Sequence, residues 1–174
     1  MAFMSMHLVV LLGSLACSMP GSDPQAPHPP MPPGMTHDEH MARLKHADPK
    51  QRADEAMGFD QARTSHRFVL TARGGVIRVE VRDAADVGSR AAVRAHLRQI
   101  AEEFSRGVFD KPFRTHAEFP PGVPALRRLR SSLSYTYEAT PRGGLVRIDT
   151  GNRAARDAVH AFLRYQIREH GSGT

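Results

Sequence analysis

Apolar and polar residues alternate along four short segments in the second half of the chain. The first two segments are residues 67–71 and 76–81, and the last two are residues 133–137 and 146–148. An alternation with a period of two predicts β-strands that bury one face. A Gly-Gly pair precedes the second and the fourth segment, and it favours tight hairpins whose glycines adopt a positive φ. The pattern therefore predicts two β-hairpins.

Each predicted hairpin is followed by a segment with the periodicity of an amphipathic helix. Asp86 or Ser89 is placed to cap the first helix, and Asn152 is placed to cap the second. The apolar stripes are Val93, Leu97, Ile100 and Phe104 in the first helix, and Ala155, Val159, Phe162, Leu163 and Ile167 in the second. Both helices are long enough to cover a sheet.

The two halves of this region also repeat each other in sequence. Residues 73–80 match residues 142–149 at four of eight positions, and residues 92–98 match residues 158–164 at five of seven. Both matches keep their order along the chain. Two matches in register indicate an internal duplication of one hairpin-plus-helix unit.

Residues 57–174 are accordingly expected to form one α+β domain built from a duplicated ββα–ββα unit. The repeats cover about residues 64–104 and 133–170. Four strands make a single antiparallel sheet, and both helices lie on the face that carries the apolar side chains. This fold class does not by itself indicate an activity.

The remaining segments are predicted from their composition and from helix signals. Residues 18–56 are rich in Pro, Met and His and read as a tether. Within the tether we expect two short, poorly buried helices, His37–His46 and Pro49–Met57. Between the repeats, residues 105–124 are predicted to be irregular, and residues 125–130 to form a short helix.

Residues 1–17 have the features of an export signal. An apolar run begins at Leu8 and ends at Ala16, far short of the roughly 20 residues of a spanning helix. Small side chains at Ser14 and Ala16 suit cleavage by a signal peptidase, and Cys17 follows directly. The segment predicts export to the bacterial periplasm or cell surface, with Cys17 lipidated as a membrane anchor. The alternatives are simple secretion and a cytosolic protein with an apolar N-terminus or a misplaced start codon.

Several motifs resemble an uncharacterised family of exported bacterial proteins and lipoproteins. The motif MGFDQ stands at residues 57–61, a His-x-Phe motif at His66 and Phe68, and AVHAFLRYQI at residues 158–167. The resemblance covers roughly residues 57–170. It implies an exported protein, and the family has no established activity.

Methionine and histidine residues cluster in the tether at Met35, His37, His40 and Met41. His37 and His40 are three residues apart and can share one face of a helix. Imidazole and thioether ligands together suit copper, above all Cu(I), because soft ligands select soft ions. The cluster predicts a copper site that is independent of the folded domain. The alternative is a soluble spacer without a ligand.

Three histidines of the domain are candidates for a second site: His66, His96 and His116. In the repeat, His66 aligns with Tyr135 and His96 with Phe162, so the other copy has a core aromatic residue at both positions. One interpretation is two partly buried imidazoles at the margin of the core. The other is a metal or acid/base site between the sheet and the helices, to which the connecting segment adds His116.

The basic residues allow a third kind of site. The net charge is +6, and the densest basic run is Arg127, Arg128 and Arg130. Such a run can form a surface for nucleic acid or anionic lipid, and a solvated helix face is the alternative. His160 aligns with Arg94, off the apolar stripe of its helix, and is expected to be exposed.

Signals of catalysis are weak. The sequence has no Gly-x-Ser-x-Gly motif, and its Gly-Gly pairs precede strands, so they do not make a phosphate-binding loop. Outward-facing carboxylates are expected to form ion pairs with neighbouring arginines rather than to act as acids or bases. No catalytic residue is assigned.

The function expected from the sequence is an exported, envelope-tethered and non-enzymatic binding or interaction module. Its partner is a protein or a metal ion, with the membrane as its anchor. Two alternatives remain open. One is a basic nucleic-acid-binding domain, and the other is a small enzyme that uses His66, His96 and His116.

Overall fold

The four strands form one antiparallel sheet in the order β1-β2-β4-β3. The computed structural model describes residues 33–171, so Cys17 and the predicted signal lie outside the described residues. The elements in chain order are α1 His37–His46, α2 Pro49–Met57, β1 Thr64–Thr71, β2 Gly74–Val81, α3 Val87–Ser105, α4 Asp110–His116, α5 Val123–Arg128, β3 Ser134–Thr140, β4 Gly143–Asp149 and α6 Arg153–Glu169. The predicted α+β fold with two ββα repeats is confirmed. None of the helices in residues 33–171 is long and apolar enough to cross a membrane.

The two hairpins occupy equivalent positions about the centre of the sheet. Ile77 pairs with Val146 in the middle of the β2–β4 ladder, and these two residues are counterparts in the repeat. A two-residue loop closes each hairpin, residues 72–73 in the first and residues 141–142 in the second. Residues that pair across the centre of the sheet are therefore counterparts in the sequence repeat, and a pseudo-two-fold axis relates the two hairpins.

The glycine pairs lie in the strands, whereas the sequence predicted that they form the turns. Gly74 and Gly143 are the first residues of β2 and β4. A Cβ at Gly74 would clash with the carbonyl oxygen of Ile148, and a Cβ at Gly143 would clash with that of Val79. Ile148 and Val79 are also counterparts. Both repeats therefore share glycine because the two central strands approach each other closely.

Each long helix packs mainly on the hairpin of the other repeat. The helix α3 contacts β3 and β4, with further contacts to β2, and α6 contacts β1 and β2. Leu163 of α6 lies over Gly75, as its counterpart Leu97 of α3 lies close to Gly144. This exchange interlocks the repeats around one core.

The helix caps also follow the repeat. The side chain of Asp86 accepts a hydrogen bond from a backbone N–H in the first turn of α3, and that of Asn152 does the same for α6. Asp86 and Asn152 are counterparts. Capping residues of this kind typically stabilise a helix by about 1 kcal/mol.

The connecting segments are more ordered than the sequence predicted. Helix α4 forms within residues 105–124, which were expected to be irregular, because Phe113 is buried and packs against the tilted ring of Phe119, with ring centroids 4.6 Å apart. Helices α1 and α2 have the predicted bounds. Helix α2, expected to be poorly buried, contacts α4 and buries Ala53.

Candidate functional site

A cleft runs between the sheet and the helices α3, α4 and α6. Its polar lining residues are His66, His96, Lys111, Thr115, His116, Gln166 and His170, and its apolar walls include Phe68, Val79, Leu97 and Phe162. We call it the histidine cleft. Its volume is about 50 Å³, counted as the space open to the centre of a water molecule. That space holds roughly three or four waters.

A second and more polar groove adjoins the histidine cleft. It lies between α2, α3 and α4, and Met57, His96 and Lys111 line both cavities. At this boundary the Nζ atom of Lys111 lies 3.0 Å from a carboxylate oxygen of Glu103. The groove gives the narrow cleft a polar margin.

The elements of the fold bring the polar side chains together. His66 lies on the inward face of β1, two residues before the buried Phe68, and His96 lies on the buried stripe of α3. His116 is the last residue of α4. Gln166 and His170 are four residues apart at the C-terminal end of α6, so they share one helix face.

The rings of the cleft form a continuous series of contacts. The rings of His66 and His170 are stacked, with centroids 5.1 Å apart, and His170 meets His116 edge-on at 5.5 Å. Phe59 stacks on the outer side of His66 at 6.1 Å and meets His96 edge-on at 5.4 Å. The imidazoles therefore converge on one place.

Several polar atoms of the cleft have no hydrogen-bond partner among the described residues. They are Nε2 of His66, Nδ1 of His96, Nε2 of Gln166 and Nε2 of His170. His96 and Gln166 are only 8% and 5% exposed. Because a buried polar atom without a partner typically costs 1–3 kcal/mol, four such atoms in one place require an explanation.

Burial keeps the imidazoles uncharged. It lowers the pKa of His66 to about 3, with smaller effects of the charges of His170 and His96. It lowers the pKa of His96 to about 4, and Lys111 lowers it further. Burial and His116 lower the pKa of His170 to about 4. At neutral pH these three rings are neutral.

The same positions of the other repeat are apolar or aromatic. The counterparts of the cleft residues are Tyr135 for His66, Phe162 for His96, Ile100 for Gln166 and Phe104 for His170. The ring of Phe104 packs edge-on against Tyr135 at 5.9 Å, and at the symmetry-related place His170 stacks on His66. Three of the counterparts, Ile100, Phe104 and Phe162, also line the histidine cleft, so polar residues and their apolar counterparts meet at one cavity.

The structure brings together the three domain histidines that the sequence singled out. His66, His96 and His116 line one cavity, as the site interpretation required. The core-margin interpretation is right that the rings of His66 and His96 are largely buried. It does not explain why each ring carries a nitrogen without a hydrogen-bond partner among the described residues. Sequence analysis missed Gln166 and His170. When the repeat alignment is extended to the end of α6, these two polar residues align with core residues of α3, and this mismatch is the signal that could have found them.

The prediction that His160 is exposed is wrong. His160 is half-buried, and its Nε2 lies 3.0 Å from the carbonyl oxygen of Thr71, to which it donates. Its counterpart Arg94 donates at 2.6 Å to the carbonyl oxygen of Thr140, the counterpart of Thr71. His160 is therefore held by the end of the first hairpin, as Arg94 is held by the second.

In the tether, Thr36 and Glu39 cap α1 by reciprocal hydrogen bonds. His40 and Met41 of α1 are half-buried. In the part of the chain that the structure describes, no group of three His, Cys, Asp or Glu side chains is placed to hold a metal ion. The copper site of Met35, His37, His40 and Met41 stays a prediction.

The basic run does not form one free surface. The guanidinium of Arg127 lies over the ring of Phe119 at 4.5 Å, and its Nε donates to the carbonyl oxygen of Gly107. Burial lowers the pKa of Arg127. Arg128 and Arg130 are exposed. Two of the three arginines thus remain available to a polyanion.

The outward face of the sheet carries ion pairs, as expected. Arg147 lies 3.0 Å from Glu138 on the neighbouring strand, and Arg78 lies 3.4 Å from Glu80 on its own strand. These pairs are solvent-exposed or half-buried, so each contributes little to the free energy of unfolding.

No protein-family model matches this sequence, and no curated protein or solved structure matches it. The histidine cleft is therefore interpreted from its own geometry and from the comparison between the two repeats.

Proposed function

We propose that this chain is an exported, envelope-tethered and non-enzymatic binding module whose ligand occupies the histidine cleft. One observation carries the proposal: His66 and His96 of the first repeat and Gln166 and His170 of the second align with core residues of the opposite repeat, and all four line the same cleft. A polar residue in a core position lowers stability, so its presence there is best explained by binding. The unpartnered nitrogens are the groups that a ligand would satisfy.

The acidities of the imidazoles favour binding over catalysis. A general acid or base works best when its pKa is near the working pH. His66 and His96 have pKa values of about 3 and 4, which leaves them weak bases at neutral pH. The enzyme alternative gains from the convergence of His66, His96 and His116, but these pKa values weigh against acid/base work.

The cavity itself is tested with xenon, which enters apolar clefts whatever their polar chemistry. We expect xenon pressure to shift the ¹H–¹⁵N resonances of Phe68, Val79 and Leu97 in the full-length protein. The α6 core variant, Gln166→Ile with His170→Phe, gives α6 the residues of the other repeat and should abolish these shifts. Arg164→Ala, on the exposed face of α6, is the matched control.

Unchanged cleft resonances under xenon would contradict the proposal, and so would equal shifts in the wild type and in the α6 core variant. Either result would mean that the cleft is not an accessible cavity formed by the polar residues.

Export is tested by fractionation and mass. We expect the protein in the envelope fraction, with a mass that corresponds to cleavage before Cys17 and addition of lipid. Cys17→Ser should release it from the membrane. Protein of uncleaved mass in the cytoplasm would contradict export and would favour the nucleic-acid alternative, in which Arg128 and Arg130 bind with a steep salt dependence.

A further inference from the structure

His96 presents a hydrogen-bond acceptor to the cleft. The ring makes a hydrogen bond with the backbone of Met57 that favours its protonated form, so the ring nitrogen donates to a carbonyl oxygen. The unpartnered atom is Nδ1, which leaves Nε2 as the donor. In a neutral imidazole the second nitrogen carries a lone pair. Nδ1 of His96 is therefore an acceptor.

Gln166 presents a donor from the facing helix. Its Oε1 lies 3.3 Å from Nε2 of His116, and an amide oxygen can only accept. Its amide nitrogen, Nε2, has no partner among the described residues. In this orientation of the amide, Nε2 of His116 donates to Oε1 of Gln166. Gln166 therefore offers N–H groups to the cleft.

The one ammonium group that lines the cleft is already paired. The Nζ atom of Lys111 lies 3.0 Å from a carboxylate oxygen of Glu103. No carboxylate side chain is among the residues that line the cleft. A bare ion would lose its hydration there without gaining a counter-charge, which is strongly unfavourable.

From this arrangement we propose that the histidine cleft recognises an uncharged primary amide. Such a group is planar and carries a donor and an acceptor side by side, so its NH₂ can donate to His96 while its oxygen accepts from Gln166. The inference rests on the proposed function, because it names the ligand class of the same cleft. A group of about four heavy atoms fits the available space, and the rest of a larger ligand can extend into the adjoining polar groove.

The test compares two molecules of the same shape, acetamide and acetate, at pH 7.5. Each is titrated into the full-length ¹⁵N-labelled protein, and the dissociation constant is read from the shifts of cleft resonances. We expect acetamide to bind at least tenfold more tightly than acetate. Equal or tighter binding of acetate would overturn the inference, because it would show that the cleft selects anions.

Single-residue variants test which side chains recognise the amide. Gln166→Met keeps the length of the side chain and removes its donors, and we expect it to weaken acetamide binding about tenfold, the effect of one good hydrogen bond. Gln51→Met, on the exposed face of α2, should bind as the wild type does. If Gln166→Met fails to fold, His96→Phe removes the acceptor and should have a similar effect. Wild-type affinity in a folded Gln166→Met or His96→Phe protein would overturn the inference.

The xenon experiment distinguishes a failure of the amide inference from a failure of the proposed cleft. If xenon enters the cleft and acetamide does not bind, the amide inference fails while the proposed cleft stands. If neither xenon nor acetamide enters, the cleft fails as a binding site and the inference fails with it.

Discussion

The two repeats of this domain share their backbone and differ in what they bury. Where α3 meets β3, Phe104 packs on Tyr135 at 5.9 Å. Where α6 meets β1, at the equivalent place, His170 stacks on His66 at 5.1 Å. The same geometry therefore supports an aromatic contact at one place and a stack of two imidazoles at the other. The difference shows which positions the fold requires to be apolar and which can serve another purpose.

The features that both repeats keep belong to the fold. The glycines at the centre of the sheet, the helix caps and the contacts from α3 and α6 to the hairpin ends all occur twice. The polar residues of the cleft occur once. At the symmetry-related positions the fold holds apolar or aromatic residues, so it does not require these polar side chains.

Acid should produce the largest effect. The pKa of His66, His96 and His170 lies near 3 to 4 in the folded protein and near 6.5 in the unfolded chain. The unfolded state therefore binds more protons, and stability falls as the pH drops from about 6.5 towards 4. Each imidazole contributes up to about 1.4 kcal/mol per pH unit in this window.

Denaturant unfolding at several pH values measures this loss. The α6 core variant has one buried imidazole fewer, so its free energy of unfolding should depend less on pH over the same window. A pH dependence identical to that of the wild type would show that His170 does not titrate as described.

Exchanging single residues between the halves should have opposite effects. Phe104→His places an imidazole in the packed half, and we expect it to lower the free energy of unfolding by about 3 kcal/mol, because it removes buried apolar contacts and adds unpaired nitrogens. The reverse change, His170→Phe, should raise it by about 1 kcal/mol. Destabilisation of similar size by both changes would contradict the comparison.

Both central glycines should resist substitution, and Gly74 at least as strongly as Gly143, because Gly74 also has a positive φ. Gly74→Ala and Gly143→Ala each place a methyl group against a carbonyl oxygen of the neighbouring strand. We expect each change to lower the free energy of unfolding by about 1–3 kcal/mol, the usual cost of overpacking. Gly151→Ala is the control, since a Cβ there meets nothing within 4 Å. A loss at Gly74 that is clearly smaller than the loss at Gly143 would contradict this account of the central glycines.

The tether should have the smallest effect on the domain. We expect copper to bind through Met35, His37, His40 and Met41 without changing the thermal unfolding of the domain. Copper titration of His37→Ala with His40→Ala measures the loss. Unchanged binding in this variant would remove the tether as the site and point to the domain histidines.

Local patterns were sufficient to predict most of the fold. The alternation around Phe68 and Val79, the stripe that ends at Phe104 and the capping by Asn152 are visible in sequence because each is set by neighbouring residues. Helix α4 was missed because Phe113 is buried through tertiary contacts that no short-range pattern reports. The predicted positive φ is confirmed at Gly74, but Gly74 begins β2 and does not lie in the turn, and the close approach of a neighbouring strand could not be predicted from the local sequence.

The site was only partly predictable for the same reason. His66 and His96 stood out because the repeat aligns them with aromatic residues. Gln166 and His170 lie beyond the segment in which the two helices are visibly similar. Their side chains meet those of His66 and His96 only because α6 packs over β1, and this tertiary packing could not be predicted from the local sequence.

The α6 core variant tests the central claim most directly. Its thermal unfolding is measured with and without saturating acetamide, beside the wild type and Arg164→Ala. The account predicts that the ligand-free variant unfolds at a higher temperature than the wild type and that acetamide no longer stabilises it. A variant that unfolds at a lower temperature and is still stabilised by acetamide would contradict the claim that Gln166 and His170 lower stability in order to bind.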